Sequence, residues 1–385
     1  MADIIDYVRW RGDIPMYQVP LGEVDALVLS YLSYMPFDGI VSGSFGGKGV
    51  RLGDACAQLL EQGAKSVCMT DSEQEDCSLL YEVQRSVRYA GIRLIGYINR
   101  YDREQEEQFS AVTFVISSDL SFIAFRGTDG TVIGWKEDFN MSFSGEVPAQ
   151  RNAWYYVQEA AKTLGGRLIL GGHSKGGNLA AYAGIFSPED VQRRIDSVYN
   201  FDGPGFNEAV VSTQEFQQVD MRIRTYVPQS SMIGILLWHA EPFTVVKSDA
   251  VSVLQHNPYT WQVMGGKLLT VEQRTHGSRF AEETLKHWLS ELQPQERRSL
   301  IDGIYSILDA SQGRSVAELF EPRNIVSIVR AAGNMDEQIR DSITDAFRLL
   351  GGSIKETLPE WIDKAAMELR GRIAGEMFTD REENV

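Results

Sequence analysis

The stretch from Arg167 to Phe186, RLILGGHSKGGNLAAYAGIF, confines the chain more than any other. Leu168, Ile169 and Leu170 form a short apolar run with strand character, a turn crowded with glycine follows, and Leu179, Ala180, Ala181 and Ala183 then supply the small side chains that let a helix lie close on a sheet. Strand, tight turn and helix in that order, with Ser174 at the tip and Gly172 and Gly176 two residues away on either side, is the layout of a nucleophile elbow. So sharp a turn leaves no room for a Cβ at its flanks and strains the serine, pushing its Oγ out of the sheet. The first N–H groups and the positive end of the helix aim at the same point, where an oxyanion would form. A bare G-x-S-x-G arises by chance in about one chain of this length in ten, so the flanking residues carry the argument. Neither G-x-G-x-x-G nor G-x-x-x-x-G-K-[ST] spacing is present, which disfavours nucleotide binding.

The rest of the chain agrees with such a sheet. Ala111 to Ser117 and Ser121 to Arg126 are rich in Val, Ile and Phe and are joined by Ser118-Asp119-Leu120, which predicts a hairpin. A helix around Ala153 to Leu164 precedes the strand into Ser174, and strands Ser197 to Phe201, Arg222 to Val227 and Phe243 to Lys247 follow. This alternation predicts a mostly parallel α/β sheet with helices on both faces. Up to about residue 100 the signals are helical, with Val24, Leu27, Val28 and Leu32 on one face and Cys56, Leu59 and Leu60 on another, so this part is expected to pack against the sheet. From Val271 on, helical periods such as Ile339, Ile343, Phe347 and Leu350 take over. Two units are therefore expected: a sheet domain over 1–270 and a helical C-terminal module over 271–385.

Composition excludes several classes. At 385 residues and 43% apolar content the chain can bury a large core. Its formal charge of −16 would repel polyanions, which argues against a nucleic-acid partner. Cys56, Cys68 and Cys77 lack C-x-x-C spacing and a nearby histidine, so they read as reduced thiols of a cytoplasmic protein, without a disulfide framework or a zinc site. No apolar stretch reaches membrane-spanning length, and the first residues lack the pattern of a signal peptide.

A serine hydroxyl is a poor nucleophile at neutral pH, so an elbow calls for a histidine base and a carboxylate to fix its tautomer. Of the five histidines, His173 adjoins the serine and points elsewhere, His287 sits in a helical run and His276 begins one. His256 follows the last predicted strand in a loop stiffened by Pro258 and Trp261, which makes it the preferred base, with His239 in reserve. Ligand-facing groups in open α/β sheets lie at strand C-termini. Asp202, ending the strand Ser197 to Phe201, is thus the first choice of acid, and Asp249 the second. The next strand ends in Gln229-Ser-Ser231, without a carboxylate. The oxyanion donors expected are the N–H groups of Lys175, after the nucleophile, and of Thr128, in the loop after Ser121 to Arg126. The Lys175 ammonium would either favour an anionic substrate or pair with a surface carboxylate. The apolar run Met232 to Trp238 suits a lid, an acyl pocket or core.

Phe125-Arg-Gly-Thr-Asp129, then Trp135-Lys-Glu-Asp-Phe139, then Gly172-His-Ser-Lys-Gly-Gly-Asn-Leu-Ala180 resembles the fungal-type class (class 3) of triacylglycerol lipases in the α/β-hydrolase superfamily. The fuller pattern, with Ile4-Ile-Asp-Tyr7, Gln255-His-Asn-Pro258 and Trp261, is similar to a bacterial family of lipase-like proteins over about residues 1 to 265. The resemblance implies an α/β-hydrolase fold, Ser174 as nucleophile, His256 as base, and Thr128 with Lys175 at the oxyanion hole. Lipases of that class have an apolar residue where Lys175 stands and an aspartate after the strand corresponding to Arg222 to Val227.

These readings converge on a serine esterase or lipase-like hydrolase, with a small-molecule or lipid-like acyl ester as substrate and no cofactor. Two alternatives use the same residues differently: acyl transfer through the same intermediate, and a binding scaffold that has lost catalysis.

Overall fold

A computed structural model describes residues 1–63, 72–102, 104, 107–129, 141, 146–231, 233–234, 236–276 and 278–279. Among the predicted features, Cys68, Trp135 to Phe139, His287 and the C-terminal helical module beyond Arg279 lie outside the described residues, as do Met232 and Ile235 of the apolar run.

Among the described residues an eight-stranded sheet is the organising element, and its spatial order is the sequence order: β1 (Val50–Arg51), β2 (Arg93–Asp102), β3 (Glu107–Ser117), β4 (Leu120–Phe125), β5 (Arg167–His173), β6 (Ile195–Phe201), β7 (Ile223–Pro228) and β8 (Phe243–Val246). Strands β1 to β4 run antiparallel to one another, and the four pairings from β4 to β8 are parallel. The sheet is thus mixed and mostly parallel. The predicted hairpin is β3 and β4, joined at Ser118-Asp119. β2 was not expected, because its alternation breaks at a register shift between Ile95 and Ile98, where Gly96 takes φ +66°.

Period-2 alternation sorts the apolar residues into two cores. Phe122, Ala124, Ile169, Tyr199 and Phe201 face the helices α1 (Ile4–Arg11), α2 (Glu23–Leu32), α3 (Leu52–Glu61) and α4 (Glu73–Arg85). Ile123, Phe125, Leu168, Leu170 and Val198 face the helix Pro148–Thr163, between β4 and β5, and the helix Lys175–Phe186, between β5 and β6. Every connection from β4 onward therefore delivers a loop to one edge, the carboxyl ends of the parallel strands, where open α/β sheets bind ligands.

All ten residues of α2 are buried, charged ones included. The reason is an ion pair: Asp25 accepts from Arg88 Nε and Nη2, each at 2.6 Å, from Tyr89 Oη at 2.5 Å and from the Gly22 amide at 2.8 Å. The guanidinium also donates to the carbonyls of Ile14, Val19 and Pro20, so no charge is left without partners. Past residue 270 the chain still clings to the sheet, with the amides of Val271 and Thr275 bonded to the carbonyls of Val245 and Gln229.

Removing one partner of so enclosed a pair strands the other in low dielectric, which costs about 3 to 5 kcal/mol. Asp25→Ala should lower the unfolding free energy by about that amount in urea titration; a loss below about 1 kcal/mol would mean that the pair is dispensable.

Candidate active site

Ser174 begins the helix Lys175–Phe186 with φ 58° and ψ −136°. Only Ser174, Asp202 and Leu237 have positive φ among the described non-glycine residues, and two of these three end neighbouring strands β5 and β6. Strain of this kind persists where the surroundings over-determine it. Here the helix start is pressed onto the sheet so closely that a Cβ on Gly176 would collide with the Phe125 carbonyl, and one on Gly172 with the Gly176 backbone. The elbow geometry follows from these contacts.

The post-β4 loop is equally close. A Cβ on Gly127 would lie 2.9 Å from Ser174 Cβ and 2.6 Å from the His173 carbonyl. Thr128, the next residue, is buried. The Gln108 side chain accepts from the Asp129 amide at 3.4 Å and from Lys175 Nζ at 3.2 Å, joining this loop to the residue after the serine. Lys175 is only 1% exposed and also donates to the Gln108 carbonyl at 2.9 Å.

Asp202 and His256 meet. Asp202 Oδ2 lies 2.7 Å from His256 Nδ1, with the carboxylate fully buried and the imidazole 7% exposed. Asp249 instead accepts from Gln262 and from the Met1 amine, and so is not the carboxylate on His256. His239, the reserve base, is bound to Glu241, 2.8 Å away, whose carboxylate also accepts from Thr225. His276 is exposed beside Arg279. From the apolar run, Trp238 is half exposed and Leu236 partly so, which argues against a wholly core role for that stretch.

His173 ties the His256 loop to the elbow. Its Nε2 is 2.7 Å from the His256 carbonyl, which can only accept, so Nε2 carries the hydrogen. Burial, and secondarily the neighbouring His256, hold His173 well below the usual histidine range and keep it neutral. Nδ1 is then bare and accepts from Tyr34 Oη at 3.1 Å. The His173 and His256 rings lie 4.4 Å apart, so the loop carrying His256 is fastened to the residue preceding Ser174. Sequence reasoning missed Tyr34, which no pattern marks, and Ser231, whose Oγ donates to Asp202 Oδ1 at 2.5 Å. The gap in carboxylates after β7 was the available signal for the latter.

Ser174 and His256 are both buried, at 5% and 6% exposure, and the arrangement can hold the His256 imidazole in one tautomer on a loop fastened to the residue before Ser174. Among the described residues no cluster of side chains suits a metal ion, and no helix is long and apolar enough to cross a membrane.

A family model described as Mbeg1-like matches residues 83–306. Among solved structures, the crystal structure of M37 lipase is similar at 14% identity, covering 55% of this chain and 68% of that one with a TM-score of 0.33. No curated protein matches.

Two outcomes follow. Ser174→Gly relieves a conformation that costs about 1 to 3 kcal/mol and should raise the melting temperature; an unchanged or lower value would show the elbow to be unstrained. His173 is neutral when folded and binds a proton when unfolded below its ordinary value, so its contribution to stability is complete above about pH 6.5 and is lost at up to about 1.4 kcal/mol per unit as pH falls. His173→Gln should flatten that fall between about pH 6.5 and 5 in denaturation curves. An equally steep slope would exclude His173 as its source.

Proposed function

The chain belongs to the Mbeg1-like family, and from that premise we propose that it is a lipase-like serine hydrolase of the α/β-hydrolase fold, cleaving carboxylic esters through Ser174, His256 and Asp202. The observation that carries the reading is the 2.7 Å contact between Asp202 Oδ2 and His256 Nδ1 in a loop that His173 fastens to the elbow.

In this mechanism Asp202 keeps the hydrogen of His256 on Nδ1, leaving Nε2 as the base. Nε2 takes the Ser174 proton while Oγ attacks the ester carbonyl. The amides of Thr128 and Lys175 hold the oxyanion. His256 then returns the proton to the departing alcohol, and water resolves the acyl-enzyme by the same steps in reverse. These groups complete the reaction without a cofactor. The charge of −16 disfavours polyanionic substrates, so a neutral small-molecule or lipid-like acyl ester fits best.

Hydrolysis of nitrophenyl esters and labelling by a fluorophosphonate test the proposal together. Ser174→Ala should abolish labelling and lower kcat by about 10⁴-fold or more, and Asp202→Asn should lower it by about 10⁴-fold, while Asp249→Asn leaves it unchanged. Full turnover by Ser174→Ala would refute the mechanism. A wild-type protein that neither labels nor turns over would favour a binding scaffold, and ester products formed with added alcohol in place of free acid would favour acyl transfer.

A further inference from the structure

The residues directly after β7, Gln229 to Gly234, include no carboxylate, yet they are bound to one. Ser231 is 1% exposed and its Oγ lies 2.5 Å from Asp202 Oδ1. A carboxylate oxygen cannot donate, so the serine hydroxyl does, and its own lone pair accepts from the Gly234 amide at 3.0 Å. That amide also reaches Asp202 Oδ1 at 3.1 Å. The two carboxylate oxygens are therefore divided between two sets of donors: Oδ1 faces Ser231 and Gly234, and Oδ2 faces His256.

The segment is itself held from three directions. The Gln229 amide bonds the Val246 carbonyl at the end of β8. The Ser230 amide bonds Oε1 of Gln255, the residue before His256, at 2.8 Å. Ser278 Oγ donates to the Ser231 carbonyl at 2.8 Å. Ser231 thus sits where the acid strand, the base loop and the chain beyond residue 270 come together.

We propose, building on the reading that Ser174, His256 and Asp202 act as one unit, that Ser231 is a positioning residue for Asp202. Its hydroxyl occupies Oδ1 and fixes the rotation of the carboxylate, so that Oδ2 stays aimed at His256 Nδ1. A buried carboxylate deprived of this donor turns toward whatever donors remain, and the tautomer and direction of the imidazole loosen with it. The same loss leaves the negative charge less neutralised, and a less neutralised carboxylate favours the protonated imidazole. His173, the other ionisable ring against His256, is buried and neutral and contributes no titration there.

The test uses the full chain and two independent readouts: pH profiles of nitrophenyl ester hydrolysis, and ¹⁵N NMR titration of the His256 imidazole, which needs no turnover. Ser231→Ala should lower kcat about tenfold at unchanged KM, the worth of one hydrogen bond to a charged acceptor. The acid limb of kcat/KM and the NMR midpoint should both rise by about half a pH unit or more. Ser231→Thr, which keeps the hydroxyl, should restore both, and Ser231→Cys, a weaker donor of similar size, should give a smaller shift in the same direction even if the alanine variant does not fold. An unmoved midpoint in folded Ser231→Ala or Ser231→Cys overturns the proposal, and a lower melting temperature with an unmoved midpoint assigns Ser231 a structural role only. Absence of ester turnover and labelling in the wild type would refute the hydrolase reading, while the NMR midpoint would still judge the hold of Ser231 on Asp202.

Discussion

The molecule is organised by one close approach of backbone to backbone: the first turn of the helix Lys175–Phe186 against the end of β4. The Phe125 carbonyl fills the space that a side chain on Gly176 would need, and the Gly176 backbone fills that of Gly172. Ser174 has nowhere to go but φ 58°. Because β4 is the neighbour of β5, the same contact brings Gly127 and Thr128 beside the serine. Strain at Ser174 and nearness of the loop after β4 thus have a common cause, and it lies in the packing of two glycines.

Hydrogen bonds fasten the remaining groups to this corner. Tyr34 donates to His173, His173 donates to the His256 carbonyl, and His256 meets Asp202, so a chain of hydrogen bonds runs from the turn after α2, across the elbow, to Asp202. Each member is almost fully buried, which makes each bond stronger and each missing partner costlier than in water. The turn after α2 thereby contributes a residue to the candidate site, while the cover helices supply a core to the sheet.

Local pattern reveals the sheet from β3 to β8 well, since each strand there is an apolar run bounded by turn residues. It fails at β2, where Gly96 and a register shift interrupt the alternation that marks a strand. It also fails in α2, whose Asp25 would ordinarily mark a solvent face; only Arg88, far along the chain, makes its burial tolerable. In the candidate site, strand-end position singles out Asp202 and His256, but the choice between Asp202 and Asp249 depends on how a loop turns, and no residue type encodes that. Ser231 and Tyr34 are invisible for the same reason: their partners are distant in sequence, and serine and tyrosine are at home in many settings.

The order of the sheet also bears on how the chain is made. Its strands lie side by side in the order of their synthesis, so each newly made strand can dock on a neighbour already present and extend a single growing edge. The serine arrives with β5, its carboxylate with β6 and the hydroxyl that steadies that carboxylate just after β7, while the imidazole comes only once β8 has been laid down. A partly made chain would therefore carry the bent serine for some time before the imidazole is in place, and under the proposed hydrolase reading reactivity would be the last property the growing protein acquires.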